Sequence, residues 1–292
     1  MPTLRMFCLW LVFISPLAGE SLRIASYNLQ NYLIMNRRLE DGFRPDYPKP
    51  EAEKAALREA ILQVHPDIIA LQEIGDEAQL KELQRDLKHM GLFYPYSAIV
   101  TDNPDKTRHI AILSRLRPDQ ITLHGTIPFT LKGEKLLVRR GLLELQFTTG
   151  KTEWRLYAVH LKSRLTENES DPNAAKQRAG EARAIRNLIE KQVGSNGCYL
   201  VAGDFNDTRN SSALARFLHK GKSTLSRIIE CYDSREETWT HHYAREETLS
   251  RVDFILISPA LDALVRISGH IWEDRKSGEG SDHRLIYVDM EF

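Results

Sequence analysis

The spacing of apolar residues along this chain changes between two periods, and the two periods predict helices and strands. Over residues 50–64, Leu57, Ile61 and Val64 recur at intervals of three or four positions and fall on one face of a helix. The same spacing predicts further helices over residues 77–90, 173–192 and 211–219.

Short apolar runs rich in β-branched residues predict strands between these helices. Residues 32–50 lack an apolar period and predict a loop. Because strands and helices mix without a strict βαβ alternation, the pattern favours a layered α/β fold with largely antiparallel sheets over a Rossmann fold or a barrel. The predicted strands cover residues 22–29, 67–73, 108–114, 135–147, 153–163, 198–203, 251–258 and 284–292.

Composition favours one domain without a broadly basic surface. The chain has 292 residues, of which 42% are hydrophobic, and it contains neither a low-complexity linker nor a fixed repeat. Its 40 Lys and Arg residues balance 40 Asp and Glu residues. This balance argues against a protein that wraps nucleic acid, although a local basic groove remains open.

The N-terminal residues have the layout of a secretory signal peptide. Arg5 precedes an apolar run from Met6 to Ile14, and the small residues Ala18 and Gly19 follow. The run is shorter than the ~20 residues that span a bilayer, so no stable membrane anchor is expected. We predict a signal peptide over residues 1–19, a mature domain over 20–292, and a secreted or periplasmic protein. A buried N-terminal strand is the alternative.

Two cysteines, Cys198 and Cys231, remain after the predicted cleavage. In an exported protein they could pair as a disulfide. Alternatively, Cys198 begins a buried strand and packs as a small apolar residue. The sequence leaves both possibilities open, because it does not supply the geometry that a disulfide requires.

Polar side chains gather at the ends of the predicted strands or interrupt their apolar runs. Such groups cost free energy unless they are paired or bind something. One such residue alone could be a turn residue, an exposed charge or a satisfied core histidine, but six strands carry them. The residues are Asn28, Glu73, His160, Asp204, Asn206, Asp253, Asp282 and His283.

The types of side chain in this set suggest a chemistry. Carboxylate and amide oxygens suit a hard divalent cation such as Mg²⁺. A histidine held by a buried aspartate is the usual arrangement of a general base. His241 and His242 are adjacent rather than four residues apart, so zinc is not predicted. Together, the residues predict a metal-assisted attack of water on phosphorus.

Six motifs resemble, in order, those of the endonuclease/exonuclease/phosphatase superfamily, which has the deoxyribonuclease I-like fold. They span residues 26–286 and read SYNLQN, PDIIALQEI, VHLKSR, GDFND, RVDFILIS and SDHRLI. The resemblance implies a four-layer α/β sandwich, in which two mixed, mostly antiparallel β-sheets pack face to face with helices on the outside. It also implies hydrolysis of phosphoester bonds that depends on a divalent metal ion.

The resemblance also implies a role for each matching residue. Asn28, Glu73 and Asp282 would bind the metal, with Mg²⁺ expected and Mn²⁺ or Ca²⁺ as alternatives. His283 would be the base or the proton-transfer group, oriented by Asp253. The remaining roles fall to residues that position water or contact phosphate, namely Asp204, Asn206 and His160.

One position departs from the deoxyribonuclease branch. That branch has a glutamate near the strand of residues 108–114 that supports the second histidine, whereas this chain has Lys106, Arg108 and His109. A charged His160 is therefore in question, and a neutral His160 that donates to phosphate is the alternative. The apurinic endonuclease branch has a tyrosine at this position, so His160 argues against a repair role.

Lys162 is the predicted substrate-binding cation. With Arg164 and Arg108 it could form a local phosphate-binding patch, or these residues could be solvated charges. We further predict that Gly203 permits a close approach of backbone or substrate, and that Asp207 caps the following loop or helix.

The sequence favours an exported, Mg²⁺-dependent phosphodiesterase, a monomeric nuclease acting on DNA. The alternative is a phosphatase or a sphingomyelinase-like enzyme acting on a lipid or small phosphoester. A lipid enzyme should have an exposed apolar hairpin, and residues 124–133 are the nearest candidate. A binding module that has lost catalysis is disfavoured, because every key position is filled.

Overall fold

In the described residues, four α-helices lie where the apolar spacing predicts them, and a fifth, short helix was not predicted. The computed structural model describes residues 21–39, 41–194, 196–273 and 279–292, so the predicted signal peptide lies outside the described residues. A short 3-10 helix, Pro172–Ala174, precedes the third helix. The α-helices are α1 (Glu51–Val64), α2 (Glu77–His89), α3 (Ala175–Val193), α4 (Ser212–Leu218) and α5 (Pro259–Asp262).

The strands are numbered in chain order. The first eleven are β1 (Ser21–Tyr32), β2 (Met35–Leu39), β3 (Gly42–Tyr47), β4 (Ile68–Ile74), β5 (Tyr96–Ile99), β6 (His109–Ser114), β7 (Gln120–His124), β8 (Pro128–Leu131), β9 (Glu134–Leu137), β10 (Leu142–Thr149) and β11 (Thr152–His160). The others are β12 (Tyr199–Asp204), β13 (His219–Lys220), β14 (Ser223–Thr224), β15 (Arg227–Ile228), β16 (Cys231–Tyr232), β17 (His241–Tyr243), β18 (Thr248–Ser250), β19 (Asp253–Ile257), β20 (Arg266–Ile271) and β21 (Ile286–Glu291).

Two large mixed sheets form the centre of the fold. The first has the strand order β16-β20-β21-β1-β4-β6-β5, and the second has the order β15-β19-β12-β11-β10-β7. Most neighbours are antiparallel, but β1 runs parallel to β4 and β16 runs parallel to β20 in the first sheet, and β11 runs parallel to β12 in the second. Apolar side chains of both sheets share one buried cluster, which includes Ile24, Ile68, Leu156 and Ile255.

Helices cover the outer face of each sheet. Leu57 of α1 and Leu83 of α2 pack on the first sheet, while Ile185 of α3 and Phe217 of α4 pack on the second. The layers therefore follow the order helix, sheet, sheet, helix. This arrangement confirms the predicted four-layer α/β sandwich. No helix in the described part of the chain is long and apolar enough to cross a membrane.

Two predicted segments are wrong. Residues 32–50 are not a loop, because β2 and β3 form a hairpin there. Its side chains are largely exposed, so burial imposes no alternation on the sequence. The predicted strand over 135–147 is divided, since β9 pairs with β8 and β10 joins the second sheet. Gly141 makes the break with a φ of 71°, which a side chain would oppose.

The cysteines are free thiols in this structure, so the disulfide alternative is not formed. Cys231 is buried in the cluster between the two sheets, and Cys198 packs against the same cluster from its edge. Burial raises the pKa of the Cys231 thiol to about 12. Cys231 therefore stays protonated near neutral pH and packs as a small apolar residue.

Candidate active site

The predicted polar residues of both sheets meet at one edge of the sandwich. Because β1 and β4 are parallel, Asn28 and Gln72 are partners across them and Glu73 follows immediately. In the second sheet, His160 of β11 pairs with Asp204 of β12. The sheets are joined at this edge by Nδ2 of Asn28, which donates to Oδ2 of Asp204 at 3.0 Å.

An aspartate–histidine pair stands beside Asp204. The first residue of β19, Asp253, is paired with Asp204 across the antiparallel ladder. Nδ1 of His283 lies 2.9 Å from Oδ2 of Asp253, and because a carboxylate only accepts, the imidazole donates in this bond. Nε2 of His283 lies 3.9 Å from Oδ2 of Asp204 and 3.9 Å from Oδ1 of Asp282.

The electrostatics of this cluster favour a protonated His283 when no metal ion is bound. Burial works against a charge on the imidazole, but the carboxylates of Asp253, Asp204 and Asp282 outweigh it and raise the pKa of His283 to about 10. Burial raises the pKa of Asp204 to about 7, with His283 opposing the shift. Such perturbed groups in one cleft are typical of a functional site.

The Asp204–Asn206 turn is fixed by its own hydrogen bonds. Oδ1 of Asp204 accepts from the backbone N–H of Asn206 at 2.7 Å. Nδ2 of Asn206 donates to Oδ2 of Asp204 at 3.1 Å and to the carbonyl of Leu161 at 3.0 Å. Asn206 has a φ of 52°, a conformation that asparagine tolerates better than most residues. The structure therefore brings both predicted residues to the same side of the strand end.

Glu73 reaches the site through an irregularity in β4. The pairing of β4 with β6 shifts register between Leu71 and Ile74, and Glu73 lies within the shift with a φ of 58°. Its Oε2 accepts from the backbone N–H of Asn31 at 3.0 Å. Bulges and left-handed residues of this kind redirect side chains next to active sites.

His160 is fully buried beside Asp204. Its Nε2 lies 3.5 Å from Oδ2 of Asp204, and neither ring nitrogen has a hydrogen-bond partner among the described residues. Burial, with the charges of Arg140 and His283, holds the pKa of His160 well below its ordinary value. The structure favours the neutral alternative over a charged acid.

The cations around the site differ in what they contact. Nζ of Lys162 donates to the carbonyl of Ser163 at 3.0 Å and to that of Leu165, so its predicted substrate contact stays a prediction. The guanidinium of Arg164 lies closer to the site, with Nε 3.4 Å from the carbonyl of Asn206. Arg108 donates from Nε to Oδ1 of Asn31 at 2.8 Å, 3.9 Å from Glu73.

Two predictions for neighbouring residues are also settled. A Cβ on Gly203 would lie 1.9 Å from the carbonyl oxygen of Val159, so the close approach is one of backbone to backbone. Asp207 accepts from the N–H of Thr208 at 3.0 Å and from Nε of Arg178 at 2.9 Å. It caps the following loop, as predicted, and also holds α3.

The oxygen ligands of the site suit a divalent cation. Asn28, Glu73 and Asp282 supply amide and carboxylate oxygens, the donors that Mg²⁺ prefers. In the described part of the chain, two sets of three side chains have ligand atoms within 4.8 Å of one another. One set is Asp204, Asp253 and His283, and the other is His241, Asp282 and His283. The structure thus contains a possible metal-binding cluster, which includes Asp282 but not Glu73.

Several residues that support the site were missed at the sequence level. Oγ of Ser281 donates to the carbonyl of Asn28 at 2.7 Å and accepts from the N–H of His283 at 3.0 Å. The hydroxyl of Thr240 accepts from the N–H groups of Val252 and Asp253 at 3.0 and 3.1 Å. Ser281 belongs to the SDH motif and could have been recognised from it. Thr240 lies in no motif, so nothing in the sequence indicates its role.

The sequence predicts no metal ligand at His241, yet the structure brings this residue to the site. Its backbone forms a bridge with that of His283, and the two ring centroids lie 4.6 Å apart. Nε2 of His241 lies 3.6 Å from Oδ2 of Asp282. The pairing of distant segments, rather than spacing along the chain, creates this contact.

Comparisons with known proteins agree with the geometry. Residues 25–283 match the model of the endonuclease/exonuclease/phosphatase family. A search of the curated proteins finds no match.

Solved structures show the same fold. An endonuclease/exonuclease/phosphatase family protein from Bacteroides thetaiotaomicron is 20% identical with a TM-score of 0.65, covering 93% of this chain and 98% of the other. The catalytic domain of human nocturnin is 16% identical with a TM-score of 0.65, covering 93% and 94%. A mannosyl-6-phosphatase from Bacteroides thetaiotaomicron is 21% identical with a TM-score of 0.65, covering 93% and 100%. The chain therefore belongs to the endonuclease/exonuclease/phosphatase family, whose members hydrolyse phosphoesters and generally depend on a divalent metal ion.

Proposed function

We propose that the protein is an exported, Mg²⁺-dependent phosphodiester hydrolase, a nuclease that cleaves DNA as a monomer. The observation that carries the proposal is the pair formed by Asp253 and His283, whose Nε2 faces two carboxylates at the junction of the sheets. A buried aspartate that orients a histidine through Nδ1 leaves Nε2 to accept a proton from water.

Each residue has one part in this reaction. Asp253 fixes the orientation of His283, and His283 in its neutral form accepts the proton of the attacking water at Nε2. The neutral His160 donates a hydrogen bond to a phosphate oxygen, which fits a buried ring that lacks a partner among the described residues. Asn28, Glu73 and Asp282 would hold Mg²⁺, which supplies charge stabilisation at the phosphoryl group when bound.

Support for DNA as the substrate comes from the residues around the site. His160 matches the second histidine of the deoxyribonuclease branch. Arg108 and Arg164 provide local positive charge next to Glu73 and Asn206, in a chain whose net charge is zero. Local cations of this kind suit sequence-tolerant phosphate contacts.

A lipid substrate has less support. In the candidate hairpin over residues 124–133, Ile127 and Phe129 are buried instead of exposed. The ring of Phe129 lies against Gly180 of α3, where an added Cβ would approach it to 2.7 Å. The hairpin therefore packs these two side chains on the protein instead of presenting them to a membrane.

A cavity next to the site favours a second candidate, a phosphatase that acts on a small phosphoester. The cavity has a volume of about 530 Å³ and is lined by Thr208, Arg209, Glu230, Tyr232, Thr238 and Arg251. Thr208 follows the Asn206 turn, and Arg251 precedes Asp253 by two residues. The volume suits a small polar substrate, and both arginines are paired with Glu230 across the cavity.

A substrate panel tests both candidates. Plasmid DNA, RNA, sphingomyelin, sugar phosphates and bis-p-nitrophenyl phosphate are each incubated with protein, with Mg²⁺ or with EDTA. We expect DNA cleavage that requires Mg²⁺ and disappears in His283→Ala, while the control His219→Ala, an exposed histidine on β13, keeps it. Preferential hydrolysis of sugar phosphates would support the second candidate, and activity retained in His283→Ala would overturn the assignment of the base.

Export belongs to the same proposal and has its own test. The full-length chain is expressed in a bacterial host, and the protein in the periplasm or medium is analysed by mass spectrometry. Cleavage after Ala18 or Gly19 should give a mature N-terminus at Gly19 or Glu20. Protein that stays in the cytoplasm with residues 1–19 attached would contradict export.

A further inference from the structure

We propose that His241, Asp282 and His283 form a second metal site, one that takes Zn²⁺ and thereby blocks the catalytic base. Zinc binding at these residues is independent of the proposed function, whereas the inhibition rests on it.

The backbone fixes the positions of the three side chains. His241 and His283 are partners in an antiparallel bridge. On either side of the bridge, the N–H of His242 donates to the carbonyl of Asp282 at 2.9 Å, and that of Arg284 donates to Thr240 at 2.7 Å. The two histidines are therefore held side by side without any ion.

The ligand atoms of the three side chains lie within 4.8 Å of one another. Nε2 of His241 lies 3.6 Å from Oδ2 of Asp282, and Nε2 of His283 lies 3.9 Å from Oδ1 of the same carboxylate. Ligands of a tetrahedral zinc ion with bonds of about 2.0 Å lie about 3.3 Å apart. The two distances to the carboxylate are already near this separation, and all the ligand atoms lie within 4.8 Å of one another, so the side chains would close onto one ion by moving inward.

The other nitrogen of each ring contacts a fixed partner. Nδ1 of His283 is hydrogen-bonded to Asp253 at 2.9 Å, and Nδ1 of His241 lies 3.5 Å from the hydroxyl of Ser250. Histidines that bind metal usually engage their second nitrogen in this way, which orients the ring and selects the tautomer. For both histidines, Nε2 is thus the atom directed at Asp282.

The donor set distinguishes this site from the Mg²⁺ site. Two imidazole nitrogens and one carboxylate are ligands typical of Zn²⁺, whereas Mg²⁺ prefers oxygen. Three protein ligands leave a fourth position for water or a phosphate oxygen. The site could not be recognised in the sequence because its ligands come from two segments about forty residues apart. The adjacency of His241 and His242 is therefore no argument against zinc.

Occupancy of the site would stop hydrolysis. The lone pair on Nε2 of His283 can bind an ion or accept a proton from water, but not both. Zn²⁺ also engages Asp282, which is a predicted ligand of Mg²⁺. We therefore expect Zn²⁺ to inhibit the Mg²⁺-dependent reaction and a chelator selective for zinc to restore it.

Zinc binding is measured without substrate, on the protein of residues 20–292 after bound metal has been removed. The protein competes with a chromophoric chelator for Zn²⁺, and Co²⁺ in place of Zn²⁺ reports tetrahedral coordination through its visible absorption. We expect one site in the unsubstituted protein and a loss of affinity of at least tenfold in His241→Gln. The matched control His242→Gln, altered at the next residue, should bind as the unsubstituted protein does.

The results separate the two proposals. Equal zinc affinity in His241→Gln and the unsubstituted protein, or no tetrahedral cobalt band, would overturn the zinc site whatever the enzyme hydrolyses. Zinc binding through His241 in a protein that hydrolyses no phosphoester would support the site and overturn the proposed function. Circular dichroism of each variant shows whether a loss of binding reflects unfolding.

Discussion

Nδ2 of Asn28 donates to Oδ2 of Asp204 at 3.0 Å, and this bond connects the two central sheets at the edge where the polar residues gather. Both residues are buried. A charged or polar group in such a position is costly unless it is paired. The bond therefore contributes both to the stability of the sandwich and to the arrangement of the residues in the proposed active site.

Replacing Asn28 should lower both the stability of the protein and its affinity for Mg²⁺. Asn28→Ala leaves the buried carboxylate of Asp204 with one donor fewer, so we expect the free energy of unfolding to fall by about 1–3 kcal/mol. The loss of an amide oxygen should raise the Mg²⁺ concentration for half-maximal activity by about 10- to 100-fold. Urea unfolding and Mg²⁺ titration of the initial rate measure the two effects.

The control for this prediction is Asn187→Ala, which removes an exposed asparagine of α3. Its stability should stay within about 0.5 kcal/mol of the unsubstituted protein, as is usual on the surface. An unchanged Mg²⁺ requirement in Asn28→Ala would contradict the predicted role of Asn28 in metal binding.

His160 should act as a neutral hydrogen-bond donor rather than as a charged acid. Its pKa lies well below the ordinary value because the ring is buried and faces Arg140. His160→Leu, which removes the donor, should lower kcat by about 10²–10³-fold. His160→Gln keeps a neutral N–H donor, so its kcat should fall clearly less than that of His160→Leu. Equal losses in the two variants would indicate that donation by His160 does not matter.

The sequence could predict the strand-end residues because their chemistry conflicts with their apolar surroundings. Asp253 stands between Val252 and Phe254, and such a carboxylate needs a partner, which the structure supplies as His283. Alternation along β12 correctly separated Asp204 and Asn206 from Asp207, which faces Arg178 instead.

Features that depend on irregular backbone or on distant pairing could not be predicted. Glu73 reaches the site through a register shift and a left-handed conformation, neither of which alternation describes. The hairpin of β2 and β3 is largely exposed, so it lacks the apolar period that reveals a strand. His241 meets His283 only through pairing between two distant segments.

Gly203 should tolerate no side chain. It has a φ of 152°, and an added Cβ would lie 1.9 Å from the carbonyl oxygen of Val159, within a central parallel strand pair. Since the backbone of β11 cannot move aside cheaply, Gly203→Ala should destabilise the protein by about 4 kcal/mol or more. The measurement is the free energy of unfolding in urea.

Gly221 provides the matched control for backbone strain without a clash. Its φ is 59°, and nothing lies within 4 Å of an added Cβ. Gly221→Ala should cost about 1–2 kcal/mol, the price of a left-handed conformation alone. A similar decrease in the free energy of unfolding for the two variants would show that the clash with Val159 does not contribute to the cost of Gly203→Ala.

The buried pair of Asp233 and Arg284 should make stability depend on pH at the acidic end. Oδ2 of Asp233 accepts from Arg284 at 2.8 Å, and the guanidinium lies 4.3 Å from the ring centroid of Trp239. Although burial opposes the charge, Arg284 and two backbone N–H groups lower the pKa of Asp233 from 3.8 to about 2. Because the pKa is lower in the folded state, the stabilisation is complete above pH 3.8 and disappears as the pH falls through about 2.

Asp233→Asn should therefore lower the free energy of unfolding by about 3–5 kcal/mol at pH 7, as expected when one partner of a buried pair is removed. Urea unfolding is measured at intervals from pH 7 to pH 3 for both proteins. The difference in free energy of unfolding between the unsubstituted protein and Asp233→Asn should be constant at first. It should shrink below about pH 4, because Asp233 then takes up protons in the unfolded state. The control is Asp41→Asn, whose partner Arg44 is exposed, and it should cost no more than about 1 kcal/mol. A difference for Asp233→Asn that stays constant down to pH 3 would mean that the charge of Asp233 contributes nothing to folding.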